Sequence, residues 1–432
     1  PMALIDSDFS GEYSYEIKTW KEAKKGHTQF ANKDVAFAKI SPCFENGKAF
    51  IANNLPNGIG AGTTELVVLR NIKIVPQYTF YLLSTDRFVN GGRHTYSGVV
   101  GQQRISMDYV KSYAFPLPPL SEQQRIVNRI KSLFAKLDEA KGKIQNILDG
   151  ADSRKAAILH QAFTGKLTAK WRKENKYSSQ EFFCKIRNYL SEHKKKKVKI
   201  KDNLQFNSVS KMIPKDWILV NLDSISERIT DGEHKTPRRV DSYCGYYLLS
   251  ARNVHDDTLN LDNVDFIDSI EYGVISKRCN PKKDDILLSC SGSVGRCCVI
   301  SDENKYCMVR SVAVISQPSC NSRFIMYMIQ SEIVQEQIHK MSKQTAQANL
   351  FLGAIASLAI PLPSREEQDY IVDILDDKFA KEKSICKSCE VSLAAIEAMK
   401  KAILAKAFRG ELGTNNPAEE SSKELLREII SI

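Results

Sequence analysis

Three stretches of this sequence hold residue types that could do chemistry. Cys386-Lys387-Ser388-Cys389 has the spacing of half a zinc site or of a redox pair. A structural zinc needs four ligands, and neither a second cysteine pair nor a nearby histidine accompanies this one, so the two cysteines read as residues of a helix. Asp231-Gly232-Glu233-His234-Lys235-Thr236-Pro237 gathers acids and a histidine, but without a partner cluster it reads as an exposed loop. Gly292-Ser293-Val294-Gly295 is a lone glycine pair with no helix after it, the pattern of a turn rather than of a phosphate cradle. The sequence holds no Asn-Pro-Pro-aromatic motif of an adenine methyltransferase and no Gly-x-x-x-x-Gly-Lys-Ser/Thr phosphate loop. It also holds no convincing carboxylate–lysine set of a nuclease. The chain is therefore expected to carry no metal, no cofactor and no catalysis of its own.

The net charge of the 432 residues is +11, which invites a nucleic-acid reading. Residues 170–201, however, hold twelve Lys/Arg against three Glu, so +9 of that charge sits in one segment and the rest is near neutral. Such a run reads equally well as a solvated tether. Eleven cysteines, an odd number lying mostly in apolar runs, fit reduced thiols in a cytoplasmic protein. No apolar run reaches about 18 residues and the start lacks a signal-peptide pattern, so no membrane span is expected.

What must position any functional group is a stretch that occurs twice. Residues 116–167 and 361–412 align without a gap, with roughly a third of positions identical. Both open on Pro-Leu-Pro, and identity is strongest at the ends: Glu122-Gln123 and Ile126-Val127 against Glu367-Gln368 and Ile371-Val372, then Ala157-Ile158-Leu159 against Ala402-Ile403-Leu404. Proline lacks the donor a sheet ladder needs, so Pro-Leu-Pro is expected to stop an incoming strand. Ser121 is the expected cap of the helix that follows, and Glu122 and Glu366-Glu367 place negative charge at its start. In the first copy Ile126, Ile130, Leu133, Leu137, Ala140, Ile144, Ile147 and Ala151 alternate four-three, the seam of a coiled coil. Gly165 and Gly410 fit the residue just past a helix end, where positive φ is cheap. Some 43 helical residues would span about 65 Å, too long to bury a seam without a partner helix. The obvious partner is the other copy.

The stretches between the helices read as mostly β. In residues 1–115 the strand candidates are 34–40 and 63–69, with a short helix over 78–88 and loop sequence at Gly91-Gly92-Arg93 and 98–101. Residues 214–360 parallel them: 281–289 echoes the first strand, 309–315 the second, and 324–338 reads as a helix, with 345–350 leading to the second Pro-Leu-Pro. Residues 168–213 form a join, with a short helix over 181–190 and a lysine run at 194–197; a similar short helix over 421–430 lies in the tail, 413–432. Pro1 aligns near Tyr247, so the first β-rich unit is expected to lack roughly 30 residues that the second has. The expected class is α+β. Two β-rich units each precede a long helix, and the helices pair as an antiparallel coiled coil with pseudo-two-fold symmetry.

This arrangement resembles the specificity (S) subunits of type I restriction-modification systems. The most specific parts are Phe115-Pro116-Leu117-Pro118-Pro119-Leu120-Ser121-Glu122-Gln123-Gln124-Arg125-Ile126-Val127, the stretch Gly165-Lys166-Leu167-Thr168-Ala169-Lys170-Trp171-Arg172, and 402–412. The resemblance implies that 1–115 and 214–360 are target-recognition domains, each reading one half of a split site on double-stranded DNA. It implies that 116–167 and 361–412 are spacers and docks for two methyltransferase (M) subunits, and through them for restriction (R) subunits. S-adenosylmethionine and ATP would belong to those partners alone. Two readers held at a fixed separation suit a bipartite site, and β-rich units that diverge while the helices stay alike suit readers of different bases.

Arginine can bond a guanine edge in two places, while lysine mostly positions on phosphate. The candidate DNA-facing residues are Lys39, Lys48, Arg93 and Arg104 in the first unit. In the second they are Lys235, Arg238, Arg239, Arg252, Arg278, Ser291, Ser293, Arg296 and Arg310, with Arg252 and Arg296 foremost because each lies in a loop beside a strand. Two other readings fit the residues: a coiled-coil scaffold or homodimer with no DNA role, and a free-standing DNA-binding regulator.

Overall fold

The computed structural model describes residues 1–194, 206–302, 305–317, 319–342, 348–416, 418–419 and 421–432. Lys195, Lys196 and Lys197 of the lysine run, and Thr345, Ala346 and Gln347 before the second Pro-Leu-Pro, lie outside the described residues. The chain divides into two compact units, one of Pro1–Leu148 with Lys387–Ile432 and one of Asp149–Cys386.

The core sheet of the first unit runs Ala49–Ile51, Val35–Ala38, Leu66–Leu69, all antiparallel. All four residues of the central strand Val35–Ala38 are buried, because the sheet is covered on both faces. A second ribbon pairs Thr28–Ala31 with Ile59–Gly62. Phe37, Phe44, Phe80 and Phe88 fill the main core. The expected single helix over 78–88 is two helices, Pro76–Leu83 and Asp86–Arg93. Gly91 and Gly92, expected in a loop, lie inside the second. They are glycines for reasons of space: a Cβ on Gly91 would sit 2.4 Å from Tyr109 Oη, and one on Gly92 2.6 Å from Phe44 Cζ.

The second unit repeats this plan with additions. Its core sheet runs Cys297–Val299, Ile286–Ser289, Val312–Ser316, Arg228–Asp231. Ile286–Ser289 is fully buried, like Val35–Ala38, and each is entered through a residue in the left-handed region, Asp284 at φ 69° and Lys33 at φ 75°. The edge strand Arg228–Asp231 has no counterpart in the first unit among the described residues. A second sheet places Tyr246–Leu249 between Asp265–Ile267 and Tyr306–Met308, the latter pair parallel. The expected helix over 324–338 is again two, Ser322–Gln330 and Glu332–Ser342.

The second repeat forms one helix, Arg365–Ala407. The first is divided into Leu120–Asp149 and Ala151–Phe163, with Gly150 at ψ −3° between them; glycine is the weakest ordinary residue in a helix interior. Pro361 does not stop the strand before it: Ala359–Leu362 runs through it, paired with Ile218–Asn221, as an edge position allows. Nor does Ser121 cap, since the helix already begins at Leu120. In the second repeat Ser364 accepts the Glu367 backbone N–H at 3.3 Å. Gly165 and Gly410 end their helices at φ 68° and 75°.

Within each unit, one repeat's helix lies antiparallel to part of the other's. In the first unit, Lys141 reaches Glu397 at 2.8 Å, while Asp138, one turn back, pairs with Lys400, one turn on. Ile126, Val127 and Ile130 are buried with Leu404 and Ala407. Of the Cys-x-x-Cys pair, Cys389 is buried and Cys386 half-buried, and both thiols are free. Ile147, expected on the seam, is 41% exposed. In the second unit, Leu159, Ala162 and Phe163 pack with Ile371, Val372 and Leu375, and Arg154 Nε bonds Glu382 Oε1 at 2.9 Å.

The two repeats also hold their own units alike. Gln123 Oε1 accepts Val75 N–H at 3.0 Å and Nε2 donates to Pro118 O at 2.9 Å. Gln368 does the same with Asn321 N–H at 3.0 Å and Pro363 O at 3.2 Å. Val75 and Asn321 are the N-cap residues of Pro76–Leu83 and Ser322–Gln330. Each glutamine thus pins the start of a helix in a β-rich unit to the start of a long helix.

Candidate nucleic-acid interface

In the second unit the basic candidates form a continuous chain of contacts at one end of the sheets. The loop after Arg228–Asp231 is stitched to Tyr306–Met308: Glu233 N–H donates to Met308 O at 2.7 Å, and Arg310 N–H to Glu233 O at 3.0 Å. Gly232 is required there, since a Cβ would lie 2.1 Å from Met308 O. Arg278 bonds Asp231 Oδ1 at 2.7 Å, and the His234 ring meets Asp231 Oδ2 at 2.7 Å. Burial pushes the Asp231 carboxyl up, but Arg278 and His234 outweigh it and hold it below the ordinary range. The backbone N–H of Lys235, followed by that of His234, holds the Glu233 carboxyl low as well.

Ser311 joins the remaining loops. Its Oγ accepts Ala251 N–H at 3.1 Å and its carbonyl accepts Cys290 N–H at 2.8 Å. The first bond seats the short 3-10 turn Ala251–Asn253, capped by Ser250 and Asn253, and so seats Arg252. The second seats the hairpin carrying Ser291, Ser293 and Arg296. In that hairpin Arg296 N–H donates to Ser289 Oγ at 3.1 Å. Arg252 Nη2 bonds Asp265 Oδ1 at 2.7 Å, and Arg239 Nε bonds Asp265 Oδ2 at 2.8 Å. Burial raises the Asp265 carboxyl, and the two arginines together bring it below the usual range. Lys235, Arg238, Arg296 and Arg310 are exposed.

The first unit brings together fewer of its candidates. Arg104 grips Glu65 with two nitrogens at 2.7 and 2.9 Å, which holds the Glu65 carboxyl low. Lys39 lies beside them, its N–H on Glu65 O at 2.9 Å and its carbonyl accepting Ile105 N–H at 3.0 Å. Arg93 is exposed, on the last turn of a helix rather than on the expected loop. Lys48 is directed inward: its ammonium donates to Met2 O at 3.1 Å and Ile5 O at 2.6 Å, fastening the N-terminal segment.

Sequence reasoning passed over Asp265 and Glu65 and read Asp231 only as part of an exposed loop, because the arginines these acids hold lie at a distance along the chain. It also passed over Tyr243, which is 53% exposed and packs its ring 4.7 Å from that of Tyr247. Among the described residues no group of three or more His, Cys, Asp or Glu is placed to hold a metal ion, and no helix is long and apolar enough to cross a membrane.

The model of the type I restriction modification DNA specificity domain matches residues 5–149 and 214–386. The chain belongs to that family. Among specificity subunits, that of the type I restriction enzyme EcoBI of Escherichia coli is 30% identical over 341 residues, 76% of this chain and 66% of that protein. The EcoAI subunit of the same species is 42% identical over 151 residues, 34% of this chain and 26% of its own length. The EcoEI subunit is 35% identical over 183 residues, 41% and 31% respectively. The matched stretches thus span less than two thirds of these relatives. In fold, the specificity-domain chain resembles one from a solved type I R-M system, at a TM-score of 0.62 and 19% identity over 95% of this chain and 90% of that one. It also resembles the HsdS subunit of Thermoanaerobacter tengcongensis, at a TM-score of 0.56 and 18% identity over the same shares.

Proposed function

We propose that this chain is the DNA-recognition subunit of a type I restriction-modification complex. Its two β-rich units, within 1–115 and 214–360, read the two halves of a bipartite site on double-stranded DNA. The helices of 116–167 and 361–412 set their separation and dock two methyltransferase subunits and, through them, restriction subunits. The chain itself performs no catalysis and uses no cofactor; S-adenosylmethionine and ATP act on the partners. The observation that carries this reading is the run of loops from Arg278 to Arg239 in a member of a DNA specificity family. It gathers guanidinium and hydroxyl groups suited to base edges and phosphates. The helices support the docking role, since Val391 and Met399 stay 63% and 53% exposed although the helices are paired.

The test is to select duplexes from a randomised DNA pool with the chain alone and with its co-expressed methyltransferase subunit. A split motif recovered only from the complex is the expected result. A motif recovered by the chain alone would make it a free-standing regulator, and no selection in either case would leave a scaffold. Affinity should also fall steeply with salt, by roughly a thousandfold or more between 50 and 200 mM if six or more phosphates are contacted.

A further inference from the structure

Four of the arginine candidates do not wait free for a ligand. Arg239 and Arg252 take one oxygen each of Asp265, Arg278 takes Asp231, and Arg104 takes Glu65. A carboxylate at a surface that meets DNA repels phosphate, so its presence beside a reader needs a reason.

Asp265 is the most informative of these. It lies on the strand Asp265–Ile267, fixed by pairing with Leu248. Arg239 precedes Val240, whose N–H bonds Phe266 O at 3.0 Å, and Arg252 sits in the capped turn tied to Ser311. All three backbones are therefore held. Arg239 spends only Nε on Asp265, and among the described residues its two terminal nitrogens have no partner. Arg252 spends Nη2, leaving Nε and Nη1. The side chains of Arg239 and Arg252 are 48% and 55% exposed. Arg239 therefore keeps both terminal nitrogens, the pair from which a guanine O6/N7 edge accepts, while Arg252 keeps one unengaged terminal nitrogen for a single contact.

We propose that Asp265 is a specificity-determining positioning residue. It orients Arg239 and Arg252 toward base edges and, by its charge, withholds them from indiscriminate phosphate contact. This rests on the DNA-recognition reading above. The role is sequence discrimination rather than affinity. A free arginine gains affinity for any duplex, whereas an arginine already neutralised gains most from a partner it can bond in a defined geometry.

The experiment compares Asp265→Asn, Asp265→Glu and Asp262→Asn with the unaltered chain, each in complex with co-expressed methyltransferase subunits. The probe is a randomised duplex pool, followed by binding of the selected duplex and of a scrambled one. Asp262 is exposed, lies three residues away and has no ion-pair partner among the described residues, so it controls for charge alone. Asp265→Asn should leave scrambled-duplex affinity equal or higher. It should lower the selected-to-scrambled ratio at least tenfold, with the loss confined to one or two adjacent base pairs. Asp265→Glu should restore part of that ratio, and Asp262→Asn should leave it unchanged. A uniform weakening across all positions, or the same ratio in Asp265→Asn as in Asp262→Asn, would overturn the proposal while leaving DNA recognition intact. Absence of any selected motif from the unaltered complex overturns both.

Discussion

Trp217 donates its indole N–H to the buried Glu367 carboxylate at 2.9 Å. The same carboxylate accepts Thr168 Oγ1 at 2.6 Å and Arg172 Nη1 at 2.7 Å. It ties the start of one long helix to the residues just past the end of the other repeat and to the strand entering the second unit. Glu367→Ala takes the counter-charge from the largely enclosed Arg172 guanidinium and the acceptor from Trp217 and Thr168, and should cost about 3–5 kcal/mol. Glu122 holds the matching place in the other repeat, half-buried and with no hydrogen-bond partner among the described residues. Glu122→Ala should change stability by less than about 0.5 kcal/mol. Urea unfolding of both variants checks the contrast, and equal effects would remove Glu367 as an anchor.

Gly232→Ala should be damaging for steric reasons alone. Its Cβ would meet Met308 O at 2.1 Å and Val309 O at 2.6 Å, both backbone atoms that cannot swing away. A loss of about 1–3 kcal/mol is expected. Gly273, in the helix Ser269–Ile275, has nothing within 4 Å of its Cβ position. Gly273→Ala should instead stabilise by roughly 0.5–1 kcal/mol. Thermal melts of the two variants should shift in opposite directions.

The depressed Asp231 carboxyl links stability to pH with a definite sign. Its folded-state pKa lies below the ordinary 3.8, so the stabilisation it gives is complete well above that value. It is lost as pH falls through 3.8 and below. Asp231→Asn should narrow the gap to the unaltered protein only in that acid range, as followed by urea midpoints from pH 7 downward. A gap that already closes well above pH 3.8 would remove Asp231 as its source.

The thiols should sort by burial. Burial pushes Cys290, Cys298, Cys307 and Cys320 up to about 12, and Cys297 well above its ordinary value. Cys184 and Cys244 are exposed. Alkylation at pH 8 read by mass spectrometry should label those two first and leave the five intact until the protein unfolds. Early labelling of Cys297 would contradict its packing.

The long helices were legible because their signals are local: four-three apolar spacing, acids at the start, and glycines at 165 and 410 that take positive φ. What escaped depends on distant residues. Gly91 and Gly92 look like a loop until Tyr109 and Phe44 close over them. Pro361 looks like a stop until Leu219 supplies an edge partner that makes no demand on its missing N–H. The basic residues could be named from sequence, but their engagement could not. Nothing near Lys48 announces the carbonyls of Met2 and Ile5, and nothing near Arg239 announces Asp265, 26 residues on.

The first unit is made of the first 148 residues together with those from Lys387 onward. On the ribosome, Ile126 and Ile130 therefore emerge long before Leu404 and Ala407, the residues that cover them. The unit synthesised first is the last to close, and until then it carries an uncovered apolar stripe. The second unit, Asp149–Cys386, is continuous in sequence and can complete its core while translation is still under way. A nascent chain from which Cys386 has emerged but Leu404 and Ala407 have not would thus hold a finished second unit and an open first one, an interval in which chaperone or partner capture has its best opportunity.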